Sequence, residues 1–175
     1  REAELAMRRR RGDPEELILL TLGNLAGTHH QLGRVEETLR VRRDLYFGYM
    51  ELFGKEHEET LREANNYAAT LKDLRRFEEA KALLRETIPV ARRALGASHI
   101  TTLRVRWIYA QTLYKDVAVT LDDLREAVST LEEIEPTAQR VLGPANPTAA
   151  GIEECLQDAR VVENARVRRA AVDAL

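Results

Sequence analysis

The sequence has little of what stabilises small secreted folds or crosses a membrane. Its 175 residues include one cysteine, Cys155, which excludes an internal disulfide and fits a reducing compartment. The longest purely aliphatic run, Leu17 to Leu20, is far shorter than the roughly 20 residues of a membrane-spanning helix. With nine glycines, five prolines and 44% hydrophobic residues, the chain is neither collagen-like nor disordered.

The charges are numerous but do not favour one sign. Twenty-seven lysines and arginines face 29 aspartates and glutamates, for a formal net charge of −2. A dedicated nucleic-acid binder normally has a large positive excess, so we predict no nucleic-acid partner. The run Arg8 to Arg11 would suit a nucleic acid or a lipid, but a solvated helix end is the favoured interpretation.

Catalytic and metal-binding patterns are also missing. The sequence has no phosphate loop, dinucleotide-binding glycine pattern, His-Glu-x-x-His motif or nucleophile elbow. The adjacent His29 and His30 would point in different directions on a helix. We expect Cys155 to be a small buried residue rather than a nucleophile. The sequence therefore predicts a protein that is not an enzyme and has no cofactor or metal.

What the sequence does have is an internal period of 42 residues. Three residue pairs keep this separation: Gly54 and Gly96, His57 and His99, Thr60 and Thr102. The same step back from Gly54 reaches Gly12, whereas the next copy after Gly96 begins 47 residues later, at Gly143. Such self-similarity is typical of repeat proteins. Because His57 and His99 recur with the period, we expect them to cap or pack rather than bind a metal.

Each unit is predicted to be a pair of helices. Apolar spacing indicates one helix from about Thr60 to Asp73 and another from about Phe77 to Leu95, with Gly96 as its C-cap. Asp13 and Pro14 indicate the start of the first full helix, with Asp13 as its capping side chain. Neither helix can bury its apolar stripe alone, so the units should stack into an all-α solenoid.

Small residues recur where the two helices of a unit would cross. Close approach of antiparallel helices is predicted at four alanines: Ala68, Ala80, Ala110 and Ala127. The five additional residues of the longer unit fall between Tyr114 and Asp123. We expect residues 115–119 to form a longer loop, either a tolerated insertion or a functional segment.

The predicted organisation is one α-solenoid domain covering residues 1–175. Residues 1–11 would be the second helix of a preceding repeat, since the chain begins at Arg1 and the array is expected to extend upstream. The units that follow are repeat 1 (12–53), repeat 2 (54–95), repeat 3 (96–142, with the insertion near 115–119) and a C-terminal capping helix (143–175).

The repeated residues resemble the tetratricopeptide repeat in the 42-residue form of kinesin light chains. The features that match are Asn66-Tyr67-Ala68, Arg76-Phe77-Glu78-Glu79-Ala80 and Leu95-Gly96-x-x-His99-x-x-Thr102. The resemblance implies a right-handed superhelix of about three full repeats with flanking helices. Two departures stand out: Thr38 replaces the small alanine, and Arg42 stands where later units have Leu84 and Leu131. No heptad segment is present, so motor attachment is not supported.

In this family the first helices line a concave groove that holds an extended peptide. By position, the resemblance implies these groove residues: Leu20, Asn24, His30, Arg62, Asn65, Asn66, Ala69, Lys72, Arg104, Trp107, Gln111 and Lys115. Asparagine amides can pair with an extended backbone, and the cations would favour acidic side chains. Trp107 is the anchor candidate. Two alternatives stay open: Asn65 and Asn66 could bond to neighbouring helices, and Trp107 could pack between units.

The resemblance thus implies a non-catalytic scaffold or adaptor that binds a peptide segment of a partner protein in this groove. A cytoplasmic location and a partner with acidic residues are expected. The alternative is a structural building block of a larger assembly, which contacts its neighbours through its ends and convex face.

Overall fold

The computed structural model describes residues 2–173 and folds them into eight α-helices. These are α1 (Glu2–Arg11), α2 (Glu15–Gln31), α3 (Val35–Phe53), α4 (Glu58–Asp73), α5 (Phe77–Leu95), α6 (Ile100–Tyr114), α7 (Leu121–Leu142) and α8 (Pro147–Asp173). Arg1, residues 174–175 of the predicted capping segment, and the side chains of Arg8 and Arg9 in the predicted basic run lie outside the described part.

The helices pack in chain order, each against the next, and α4 and α8 also contact α6. No strand occurs between residues 2 and 173. The predicted all-α solenoid is therefore confirmed. None of these helices combines the length and the apolar character that crossing a bilayer requires.

A four-residue connector that begins with glycine follows α3, α5 and α7. Gly54, Gly96 and Gly143 have φ angles of 84°, 92° and 83°, in the left-handed region that glycine adopts at little cost. The amide of Gly96 donates to the carbonyl of Arg92, so the predicted C-cap is confirmed.

Each connector ends with a side chain that caps the following helix. The imidazole Nδ1 of His57 accepts a hydrogen bond from the Glu59 amide at 3.3 Å, and His99 does the same for Thr101. At the third connector the amide oxygen of Asn146 replaces the imidazole. An Nδ1 acceptor requires a neutral ring with its proton on Nε2. The predicted capping role of His57 and His99 is confirmed.

The start of α2 differs from the prediction. Pro14, not Asp13, occupies the N-cap position, and no side chain caps this end of the helix. The Asp13 carboxylate instead accepts hydrogen bonds from the Arg11 guanidinium, with Nη2 3.1 Å from each oxygen. A bidentate, charge-assisted pair with arginine is a stronger use of that carboxylate than a single amide.

The buried core is divided along the array. Ala68, Ala80, Ala110 and Ala127 are fully buried, as their predicted role in close helix approach requires. One large apolar cluster extends from α4 to α8, whereas α2 and α3 enclose a separate cluster around Leu45. A third, smaller cluster joins Leu39 of α3 to Leu71 and Ala80, so the first helix pair has a core of its own and a limited apolar contact with the next unit.

The link between α6 and α7 is longer than its counterpart one unit earlier. Residues 74–76 join α4 to α5, whereas residues 115–120 join α6 to α7. Thr120 and Asp123 then form a capping box, in which each side chain accepts a hydrogen bond from the other's backbone amide. In addition, α7 has three more residues before its internal proline, Pro136, than α5 has before Pro89. The additional residues thus lengthen both the link and the first turn of α7.

Replacing His99 tests the connector cap. His99→Ala removes the acceptor for the Thr101 amide, so we expect the free energy of unfolding to fall by about 1 kcal/mol. His99→Asn copies the third connector and should retain nearly all of it. Urea denaturation followed by circular dichroism measures both changes. Equal losses in the two variants would contradict the capping role.

Candidate functional site

Four of the candidate groove residues come together on α4 and α6. Arg62, Asn65, Asn66 and Arg104, together with Thr101, line a surface pocket of about 250 Å³. The period of the sequence explains this convergence, because it gives both helices the same place in their units. The structure thus forms a polar pocket on the first helices of two successive units.

The pocket contains a carbonyl oxygen that has no donor. The Asn65 Oδ1 atom is buried and has no hydrogen-bond partner within residues 2–173. Arg62 and Arg104, which line the same pocket, are exposed. Arg62 forms an ion pair with Glu59, and the Arg104 Nε donates to the Thr148 hydroxyl at 3.2 Å. Each guanidinium has five N–H donors, so both retain donors for a ligand.

Asn66 has a structural partner inside the array. Its amide nitrogen donates to the Glu63 carboxylate at 3.1 Å, and the Arg42 guanidinium contacts both oxygens of the same carboxylate at 3.0 Å. Glu63 is only 5% exposed. This network joins α3 to α4, and Asn66 takes part in it through Glu63 of its own helix.

Glu63 was missed as a site of interest, although the period singles it out. Arg42 and Glu63 stand where the next junction has Leu84 and Val105, and where the last has Leu131 and Ile152. Those four side chains are fully buried and apolar. Burial raises the pKa of Glu63, and the Arg42 guanidinium only partly offsets that effect. The first junction thus replaces an apolar pair with an ion pair.

Lys72 and Gln111 connect α4 to α8 through α6. The Lys72 ammonium donates to the Gln111 carbonyl oxygen at 2.7 Å, and the Gln111 amide donates to the Cys155 sulfur at 3.1 Å. Gln111 and Cys155 are buried, as predicted for the cysteine. The oxygen and the nitrogen of the Gln111 side-chain amide therefore both form hydrogen bonds to other residues of this chain.

Trp107 lies against α8 and is not a free ring in a groove. Its indole nitrogen donates to the Cys155 sulfur at 3.1 Å. A Cβ atom at Gly151 would lie 2.5 Å from the six-membered part of the indole, so glycine makes room for the ring. The structure therefore places Trp107 between units, which is the alternative to the expected anchor.

The remaining candidates stand apart from the polar pocket. Lys115 is exposed, with its ammonium 5.8 Å from the centroid of the Tyr114 ring. Asn24, Leu20 and His30 are exposed on α2. Within the described residues α2 contacts only α1 and α3, so it does not continue the surface formed by α4 and α6. Among residues 2–173, no three side chains that could ligate a metal lie close together.

Comparison with known proteins identifies the repeat. Residues 60–101 match the sequence model of the family described as tetratricopeptide repeat. These residues are a tetratricopeptide repeat. No curated protein sequence matches the chain.

The whole array is similar to solved structures of this type. Two are crystal structures of a Podosopora anserina kinesin light chain protein with nearly identical TPR-like repeats, one of them a point variant. Each is 18% identical to the present chain, and the match spans 95% of the present chain and 77% of the solved one. The TM-scores are 0.75 for the variant and 0.73 for the other structure. The third is BtubC (BKLC) from P. vanneervenii, which is 16% identical. The match spans 93% of the present chain and 67% of BtubC, with a TM-score of 0.57.

These similarities establish a kinesin light chain-like tetratricopeptide repeat fold. A fold of this kind is a scaffold for protein–protein interactions and is generally non-catalytic. The fold therefore supports interaction with other proteins in general and does not identify the surface used.

The first prediction from these contacts concerns the ion pair between repeats. Arg42→Leu leaves the Glu63 carboxylate buried without a cation, and should lower the free energy of unfolding by about 3–5 kcal/mol at pH 7. Adding Glu63→Val installs the kind of apolar pair found at the later junctions. The double variant should match or exceed the parent, by up to about 4 kcal/mol.

The pH dependence of Arg42→Leu follows from the raised pKa of Glu63. The folded state holds the Glu63 proton more tightly than the unfolded state, so ionisation destabilises the fold as pH rises through the folded pKa. The loss should therefore shrink as pH falls towards about 4. Urea denaturation at several pH values tests this, and a pH-independent loss would contradict it.

The second prediction concerns Trp107. Gly151→Ala should destabilise the tetratricopeptide array by about 1–3 kcal/mol, because the new methyl group meets the indole. Trp107→Leu in the Gly151→Ala background should recover part of the loss. Thermal unfolding of both variants, with Trp107→Leu alone as the control, measures the coupling. Additive effects of the two substitutions would show that the ring does not contact Gly151.

Proposed function

We propose that the chain binds an extended peptide segment of a partner protein in the polar pocket on α4 and α6. The observation that carries this proposal is the buried, unpartnered Asn65 Oδ1 atom of a pocket that two exposed arginines also line. A buried polar atom without a partner is costly, and an amide N–H of a peptide backbone would satisfy it.

The two guanidiniums suggest what the peptide carries. Arg62 and Arg104 stand at equivalent places on successive helices, 42 residues apart in sequence. Their planar donors suit carboxylates, so an acidic side chain or a terminal carboxylate of the partner is favoured at this place. The protein then acts as a non-catalytic adaptor. The free Cys155 thiol accords with a cytoplasmic location as part of this proposal.

Trp107 and Asn66 do not contribute recognition in this proposal, because α8 and Glu63 already engage them. Binding therefore depends on Arg62, Asn65 and Arg104. If these residues were not needed, the partner would be held by the ends and convex face, as a building block of an assembly would be.

Charge reversal in the pocket tests the proposal. Arg62→Glu combined with Arg104→Glu should weaken partner binding at least about tenfold, because each charge-assisted hydrogen bond is worth about 1.5–3 kcal/mol. Partners are first identified by affinity capture and mass spectrometry with the intact protein. The affinity of each variant is then measured by titration with the recovered partner.

Arg125→Glu is the matched control. Arg125 is exposed on α7 and forms an ion pair with Asp122 three residues earlier, much as Arg62 does with Glu59. The control should bind like the parent, and circular dichroism should give equal helicity for all variants. Undiminished binding by the double charge-reversal variant would refute the groove proposal.

A further inference from the structure

A second cavity lies away from the polar pocket, between the second helices of two successive units. It occupies about 340 Å³ between α3 and α5, with α4 as its floor. We call it the α3–α5 crevice and define it by five of its lining residues: Tyr46, Met50, Thr60, Ala64 and Glu86. Its volume is within the range of ligand pockets, and its lining combines apolar and polar groups.

One unit later, the chain places an arginine in the equivalent position. Arg106 stands 42 residues after Ala64, and Glu133 stands 47 residues after Glu86, the steps that relate these units. The Arg106 guanidinium forms an ion pair with the Glu133 carboxylate, and Arg106 is only 9% exposed. The junction between α5, α6 and α7 thus contains a buried arginine of its own.

The α3–α5 crevice keeps the acidic partner but not the arginine. Ala64 provides only a methyl group, and within residues 2–173 no cationic nitrogen lies within 4.0 Å of the Glu86 carboxylate. The charge of Glu86 reaches Tyr46 across the crevice, because it adds to the burial that raises the pKa of that phenol. Lys55 also lines the crevice, and the side chains of Lys55 and Glu86 are both exposed, so water screens both charges.

A buried hydroxyl without a partner lines the same crevice. Thr60 is 1% exposed, and its Oγ1 atom forms no hydrogen bond within the described residues. One unit later, the Thr102 hydroxyl donates to the carbonyl of Ala91 at 3.3 Å. Of these two equivalent threonines, the one in the crevice without an arginine, Thr60, is thus the one whose hydroxyl has no partner.

We propose that the α3–α5 crevice binds an arginine side chain of a partner protein, in the place that Arg106 occupies one unit later. The guanidinium pairs with Glu86 and lies near the face of the Tyr46 ring, while the Thr60 oxygen accepts one of its N–H groups. The alkyl stem packs on Met50. A planar guanidinium suits this site better than an ammonium, as the internal example of Arg106 indicates.

Titration of the ¹⁵N-labelled protein with blocked arginine, Nα-acetyl-arginine methylamide, tests the proposal. We expect saturable shifts of the Thr60, Ala64 and Glu86 amide signals, with a dissociation constant on the order of 1 mM for so small a probe. Blocked citrulline has the same shape without the charge and should leave these signals unchanged. Tighter binding of free arginine than of the blocked form would identify a small-molecule site and overturn the partner-protein assignment.

Ala64→Arg is the decisive variant, because it copies the next unit. The new guanidinium should fill the crevice and pair with Glu86, so that Tm rises and blocked arginine no longer binds. Ala82→Arg, at an exposed position of α5, is the matched control and should bind like the parent.

Glu86→Gln provides an independent test if Ala64→Arg does not fold. This variant keeps the size of the side chain but removes its charge, and should weaken binding of blocked arginine about tenfold. Unchanged affinity in Glu86→Gln, or crevice shifts that persist in Ala64→Arg, would overturn the proposal.

Discussion

The array depends on one recurring position, where the second helix of a unit meets the first helix of the next. Leu84 and Val105 occupy this position at one junction, and Leu131 and Ile152 at the following one. Each helix pair leaves an apolar stripe that only its neighbour can cover, so the interior of this protein exists between units as much as within them. The buried alanines bring the helices close enough for this cover to be complete.

At the first junction, between α3 and α4, the same positions have charged side chains instead of apolar ones. An arginine and a glutamate replace the two apolar side chains, and α2 does not reach α4. Ala64 lines a cavity of about 340 Å³, and one unit later Arg106 lines a smaller one of about 260 Å³. An ion pair compensates its own desolvation only partly, as the raised pKa of Glu63 indicates. The first helix pair is therefore attached to the array by directional polar contacts together with a small apolar cluster of Leu39, Leu71 and Ala80.

Much of the fold could be predicted because it is periodic. The bounds of α5 and the end of α4 follow from apolar spacing, and the caps at His57 and His99 from their recurrence. Asp13 was assigned wrongly because a nearby arginine competes for its carboxylate. The surroundings of Trp107 depend on Gly151 and Cys155, which lie on another helix at positions where the earlier units have different residues. Arg62, Asn65 and Arg104 could be placed together from sequence, but their hydrogen-bond partners could not.

The three connectors limit where the units of the array differ in length. Residues 54–57, 96–99 and 143–146 are equal in length and end in the same kind of cap, although the helix pairs between them differ in length. The difference in length between the units thus lies inside a helix pair and not in a connector. The additional residues near 115–120 therefore lengthen the link between α6 and α7 and the first turn of α7, at the opposite end of these helices from the connectors.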